Sequence, residues 1–198
     1  MQLQVPLFPL GSVLFPGGRV PLQVFEPRYV DLVRNSMRTN TEFGVVWIRE
    51  GSEVVVDKQE PMPRLAQIGT FARIVDWDSL AGGRLGVTIE GSGKFRLLST
   101  EQQSDFLIVA GAQRLADETA LPIPARANEL IGLLRQLIEH PLIARLNLEP
   151  ETEDAGRLAN QIAQLLPIAE ANKFELLAEL DPMLRLDRLL LILDQLSD

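Results

Sequence analysis

Glu90-Gly-Ser-Gly-Lys94-Phe95 comes nearest to a chemical motif, because glycines beside a lysine can cradle a phosphate. A phosphate loop requires Gly, four residues, Gly, Lys and then a hydroxyl to hold magnesium. Here Thr88 stands at the first glycine position and Phe95 replaces the hydroxyl, so the run reads as a glycine-rich turn between two strands. A Ser-His-Asp triad would have to use His140, the only histidine. That residue precedes Pro141 at a helix end, which suits capping or a surface position better than catalysis. A Ser-Lys dyad could draw on Lys58, Lys94 or Lys173, yet no serine stands in a recognisable nucleophile setting. Asp76 and Asp78, two apart on an expected strand, share a face as a catalytic carboxylate pair must, but beside a hairpin loop they read as a solvated edge. With no cysteine there is no thiolate, no disulfide and no Cys-ligated zinc, and one histidine excludes the usual multi-His site. The expectation is a chain that is not an enzyme, with no catalytic residue, metal ligand or cofactor.

Apolar residues in an unusual setting are the stronger signal. Leu7, Phe8, Leu10, Val13, Leu14 and Phe15 alternate with Pro6, Pro9 and Pro16, and proline-rich segments tend to run over the surface. Two readings are open: a cap over one end of a barrel, or an exposed patch that grips another polypeptide. Phe8, Leu14 and Phe15 are the candidate contacts, joined by Met62 in the Gln59–Arg64 loop, since methionine suits promiscuous apolar recognition. Most aromatics of the first half, a set that includes Phe25, Trp47 and Trp77, are expected in the core on their general tendency to be buried.

The elements that must position these residues fall into two halves. Up to about residue 120 the chain is rich in Gly and Pro, with short β-branched and aromatic runs; beyond it Leu, Ala, Glu and Gln recur at helical spacing. Strands are expected at 20–25, 43–48, 53–57, 67–77, 84–90, 94–98 and 106–113. One helix opens at Glu26-Pro27-Arg28-Tyr29, where proline at the first helical position loses no hydrogen bond. Four more helices are expected, at 126–139, 151–166, 169–180 and from the Asp181-Pro182 cap to about 196. The fold class is therefore α+β, with a β subdomain over 1–118 and a helical subdomain over 119–198.

Composition narrows the functions. The 198 residues carry 19 Lys and Arg against 27 Asp and Glu, a net charge of −8, the opposite of what a duplex-DNA binder needs. The excess is concentrated in the helical half, with 7 basic against 13 acidic side chains beyond residue 120 and 12 against 14 before it. No apolar run is long enough for a membrane span, and the proline-rich start does not form a signal helix. A cytoplasmic location is expected, with no membrane and no DNA partner.

Several blocks together resemble the N-terminal, substrate-binding domain of the Lon proteases. They are Val5-Pro-Leu-Phe-Pro-Leu10, Val13-Leu-Phe-Pro-Gly17, Val20-Pro-Leu-Gln-Val-Phe-Glu-Pro-Arg-Tyr29 and Phe43-Gly-Val-Val46, followed by Ile68-Gly-Thr-Phe-Ala72, Gly91-Ser-Gly-Lys-Phe-Arg-Leu97 and Leu180-Asp-Pro-Met-Leu-Arg-Leu-Asp-Arg-Leu189. The resemblance implies a PUA-like β pseudo-barrel with one inserted helix, followed by a four-helix bundle-like region. It also implies a free-standing relative, since neither the ATPase nor the Ser-Lys protease module of Lon has matching positions. The leading expectation is a non-catalytic module that binds unfolded or exposed polypeptide. An adaptor or homodimer acting through the Leu-rich last helix comes next. RNA binding through Arg64, Arg73, Arg84 and Arg96 ranks behind both, for want of a basic stripe.

Overall fold

Strand β6, Leu85–Gln102, is the spine of the first half. The computed structural model describes residues 2–53, 62–81 and 84–197, and the chain divides into two compact units, 1–116 and 117–198. The strand expected at 53–57, part of the Gln59–Arg64 loop and Gly82-Gly83 lie outside the described residues.

The first unit adds β1 (Leu3–Leu10), β2 (Arg19–Val24), β3 (Phe43–Glu50), β4 (Arg64–Leu65), β5 (Ile68–Ser79) and β7 (Ile108–Arg114), with helix α1 (Pro27–Thr39) between β2 and β3. The sheet runs β1-β7-β6-β5-β3, and β3 pairs back with β1, so these five strands close a barrel. Closure removes the exposed edges that an open sheet would present. β2 adds to β6 and β4 to β3 outside that ring.

The proline-rich opening is expected as an apolar loop, either capping the barrel or exposed; residues 3–10 are instead a barrel strand, β1. Residues 3–6 pair antiparallel with β7 and residues 7–10 pair parallel with β3. The following residues are also held down. The Leu14 carbonyl accepts a 2.6 Å bond from the buried Thr70 hydroxyl, while Gly17 N–H donates to the Gly91 carbonyl and Gly91 N–H to the Gly18 carbonyl, both at 2.9 Å. Gly91 is required there, because a Cβ on it would collide with the Phe15 carbonyl oxygen. The glycine-rich run expected as a turn thus lies inside β6, beside a register shift, and joins two expected strands into one.

α1 starts as its sequence dictates, with Pro27 at the first helical position. Arg28 is buried there: it ion-pairs with Glu26 at 2.9 Å and donates to the Phe106 carbonyl at 2.8 Å, tying the helix to the β6–β7 connection. Tyr29 stacks on Phe8 at 4.2 Å, and burial pushes its hydroxyl up to about 12.

The second unit holds α2 (Asn128–Glu139), α3 (Pro141–Ala144), α4 (Ala155–Leu165), α5 (Glu170–Ala178) and α6 (Pro182–Ser197). Leu130, Leu134, Leu158, Ile162, Leu176, Leu186 and Leu189 are its apolar core. The expected Asp181 cap is present, its carboxylate accepting from Met183 and Leu184 N–H. α4 begins four residues later than expected. Asp154 is its cap, while the Glu151 carboxylate accepts from the Thr152, Glu153 and Asp154 N–H groups before the helix starts. The one-turn α3 was not expected; His140 caps it, with Nδ1 3.4 Å from the Leu142 nitrogen. Arg185 is wholly buried, bonded to Asn160 Oδ1 at 2.7 Å and to Glu118 Oε2 at 3.0 Å.

Candidate functional site

The arm formed by β5 and β6 extends past the barrel ring. β3 pairs with β5 only over Thr70–Ala72, whereas β6 pairs with β5 as far as Ser79. From Arg73 onward the edge of β5 away from β6 therefore has no strand partner among the described residues. The C-terminal turn of α1 lies near this edge, and a cleft of about 580 Å³ separates the two. Its walls carry Met37, Asn40 and Thr41 from the helix end and Arg73, Val75 and Trp77 from β5.

Three of these side chains are apolar and accessible: Trp77 is 57% exposed, Val75 38% and Met37 37%. An indole left that open is the least expected surface feature of the unit, since tryptophan is among the side chains that gain most from burial. The polar frame is ordered by ion pairs. Glu90 binds Arg73 at 2.5 Å and Arg19 at 2.8 Å. Burial works to raise the Glu90 carboxyl, but hydrogen bonds and charge from the two arginines outweigh it and hold the group below the usual glutamate range. Glu42 pairs with Arg114 at 2.6 Å and also takes a bond from the Ser92 hydroxyl.

A lowered carboxyl contributes stability that is present above its ordinary value and lost as pH falls through the lowered one. Unfolding midpoints of the first unit should thus be flat above pH about 5 and decline below about 4. Glu90→Gln is expected to cost about 1 kcal/mol at neutral pH and to flatten that decline, as urea titrations across pH would show.

The sequence-derived contacts are placed elsewhere. Phe8, Leu14 and Phe15 are buried, Phe15 with no exposed surface, so they cannot meet a partner in the folded barrel. Their burial follows from the pairing of β1 and from the Thr70 and Gly91 bonds that hold residues 14–17 against the sheet. Of the four, only Met62 is exposed, at 36%, and it does not line the cleft. Trp77 was expected in the core. Its exposure comes from topology: β5 outruns its neighbour β3, which no local spacing reveals. Among the described residues there is no group of three metal-ligating side chains and no helix long and apolar enough to cross a membrane.

Comparison with known proteins agrees with this architecture. The family model of the ATP-dependent protease La (LON) substrate-binding domain matches residues 4–195. The chain is 28% identical over 200 residues to the Lon protease of Anaeromyxobacter dehalogenans, covering 96% of this chain and 23% of that protein. Lon protease 2 of Myxococcus xanthus gives the same identity and coverage. The chain thus spans about a quarter of the length of these curated relatives. A Lon N-terminal domain protein from Xanthomonas campestris superposes with a TM-score of 0.73 at 31% identity, over 95% of this chain and 97% of that one. The N-terminal domain of a Mycobacterium avium complex Lon protease shares the fold, with a TM-score of 0.61 at 16% identity over 94% of this chain and 96% of that one. Matched along nearly its whole length, the chain belongs to the Lon substrate-binding domain family.

Proposed function

We propose that this chain binds unfolded or exposed polypeptide in the cleft between α1 and β5, without chemistry of its own. The observation that carries the reading is the exposed apolar set of Trp77, Val75 and Met37 beside an unpaired sheet edge, in a domain of a substrate-binding family. An extended chain can satisfy its main chain on such an edge and place alternate side chains against the apolar wall. The groups that would be asked to do chemistry have other tasks: His140 caps α3, and Lys173 is held by the Gln164 carbonyl at 3.3 Å and by Glu170 at 3.5 Å.

RNA binding fits the same surface poorly. Of the four arginines that suggested it, two are neutralised: Arg64 pairs with Glu50 at 2.9 Å and Arg73 with Glu90 at 2.5 Å. Arginines neutralised by carboxylates release few counterions from a phosphate backbone. The adaptor reading rests on Leu184 and Leu191, one heptad apart on α6 and each more than half exposed. A homodimer that survives dilution below micromolar concentration would favour it.

Trp77→Ser is expected to weaken binding of a labelled, permanently unfolded polypeptide about ten-fold while leaving the urea midpoint unchanged, because the indole is a contact and not core. Fluorescence anisotropy at about 150 mM salt, where surface charge is largely screened, measures the first and urea unfolding the second. Unchanged affinity in this variant would place the polypeptide site elsewhere.

A further inference from the structure

The outer edge of β5 is not bare. Leu80 N–H bonds the Arg84 carbonyl at 2.9 Å, which makes that pair hydrogen-bonded across the hairpin. Register then runs Ser79 opposite Leu85, Asp78 opposite Gly86, Trp77 opposite Val87 and Asp76 opposite Thr88. In an antiparallel ladder bonded and non-bonded pairs alternate, so Asp76 and Asp78 turn their main-chain groups toward β6, while Trp77 and Ser79 turn theirs outward. β2 fits the same alternation: Pro21, which has no N–H, stands opposite Thr88 where that N–H would point to solvent.

The two outward donors are held by their own neighbours. Trp77 N–H donates to Asp76 Oδ1 at 2.9 Å and Ser79 N–H to Asp78 Oδ1 at 2.7 Å. Neither carboxylate has an ion-pair partner among the described residues. Each blunts the edge, as native sheets do to avoid casual pairing, and each can be exchanged for a strand carbonyl.

Resting on the polypeptide reading above, we propose that an extended segment carrying apolar side chains and Lys or Arg adds as a strand to β5 at Trp77–Ser79. Its carbonyls take the two N–H groups, its apolar residues meet Trp77 and Val75, and its cations meet the displaced Asp76 and Asp78 carboxylates. Charge complementarity selects this occupant. A second copy of β5 would bring the same two carboxylates against the first pair, and acidic segments would be repelled by both aspartates and by the net charge of −8.

The test uses three labelled peptides of one alternating Leu/Phe pattern, with Lys, Gln or Glu at the intervening positions, titrated by anisotropy with the full chain and with Asp76→Asn/Asp78→Asn. The Lys peptide should bind about five-fold more tightly than the Gln peptide, as two exposed pairs would give, and the double variant should reduce that ratio to near one. N-methylation of the Gln peptide on one set of alternate residues should weaken it about ten-fold while the other set has little effect, since only one set faces the strand edge. A Lys preference that survives in the double variant, or equal tolerance of both N-methyl sets, would overturn the proposal. If the Gln peptide binds the wild type and fails on Trp77→Ser without any Lys preference, the cleft reading stands and the strand-and-charge inference falls. Binding of every peptide that Trp77→Ser leaves unchanged would defeat both.

Discussion

Replacing Phe15 with aspartate is expected to unfold the first unit, with a loss of about 4 kcal/mol or more. Phe15 has no exposed surface, and the residue after it, Pro16, bridges to Gly91 in β6. The change therefore removes a large buried ring and strands a carboxylate in its place. Both tryptophans, Trp47 and Trp77, belong to this unit, so intrinsic fluorescence in urea reports its unfolding directly. Gly91→Ala should act in the same direction, because its new methyl group meets the Phe15 carbonyl and rigid backbone cannot withdraw as a side chain would. Phe25→Asp is the control: that ring is exposed, and the change should stay within about 0.5 kcal/mol of wild type. A Phe15→Asp protein that keeps the wild-type midpoint would show that the opening segment is a loop after all.

The second large effect lies in the helical unit. Arg185→Met should destabilise it by about 3 kcal/mol, the usual result of breaking a buried ion pair from one side. Burial pulls the Arg185 guanidinium below the ordinary arginine range, against the opposing charge of Glu118, so the pair is held by geometry in a costly place. The companion change Glu118→Gln removes the carboxylate left behind, and the double variant should recover at least half of the loss. Far-ultraviolet circular dichroism during urea unfolding follows this unit, which holds most of the helix. A loss below about 1 kcal/mol in the single variant would mean that Glu118 finds other partners.

Much of the architecture was legible because it is written in local signals. Pro27 and Pro182 at helix starts, the Asp181 cap and the switch from strand to helical periodicity near residue 120 each act over a few residues. β1 escaped because two prolines argue against a strand. The barrel tolerates them because the strand changes partner there, from β7 to β3 between Pro6 and Leu7. β6 reads as two strands around Gly91-Ser-Gly93, but Gly91 marks a close backbone approach and not a reversal.

The candidate site was not legible. Phe8 and Trp77 have the same apolar character in sequence, yet one stacks on Tyr29 in the core and the other stands in solvent. What separates them is which strand outruns its neighbour, a property of the sheet and not of any window of residues. Asp76 and Asp78 were legible as an edge pair, but their bonds to the following N–H groups depend on register.

Trp47→Phe leaves Trp77 as the only indole and turns the cleft into its own reporter. The decisive measurement is the emission of Trp77 in that variant while a permanently unfolded, tryptophan-free polypeptide is titrated in and its binding is followed by anisotropy. A saturable blue shift tracking the anisotropy is expected, because a ring now in water becomes covered. Saturable anisotropy with no change in Trp77 emission, or no binding of the polypeptide at all, would contradict recognition at this cleft.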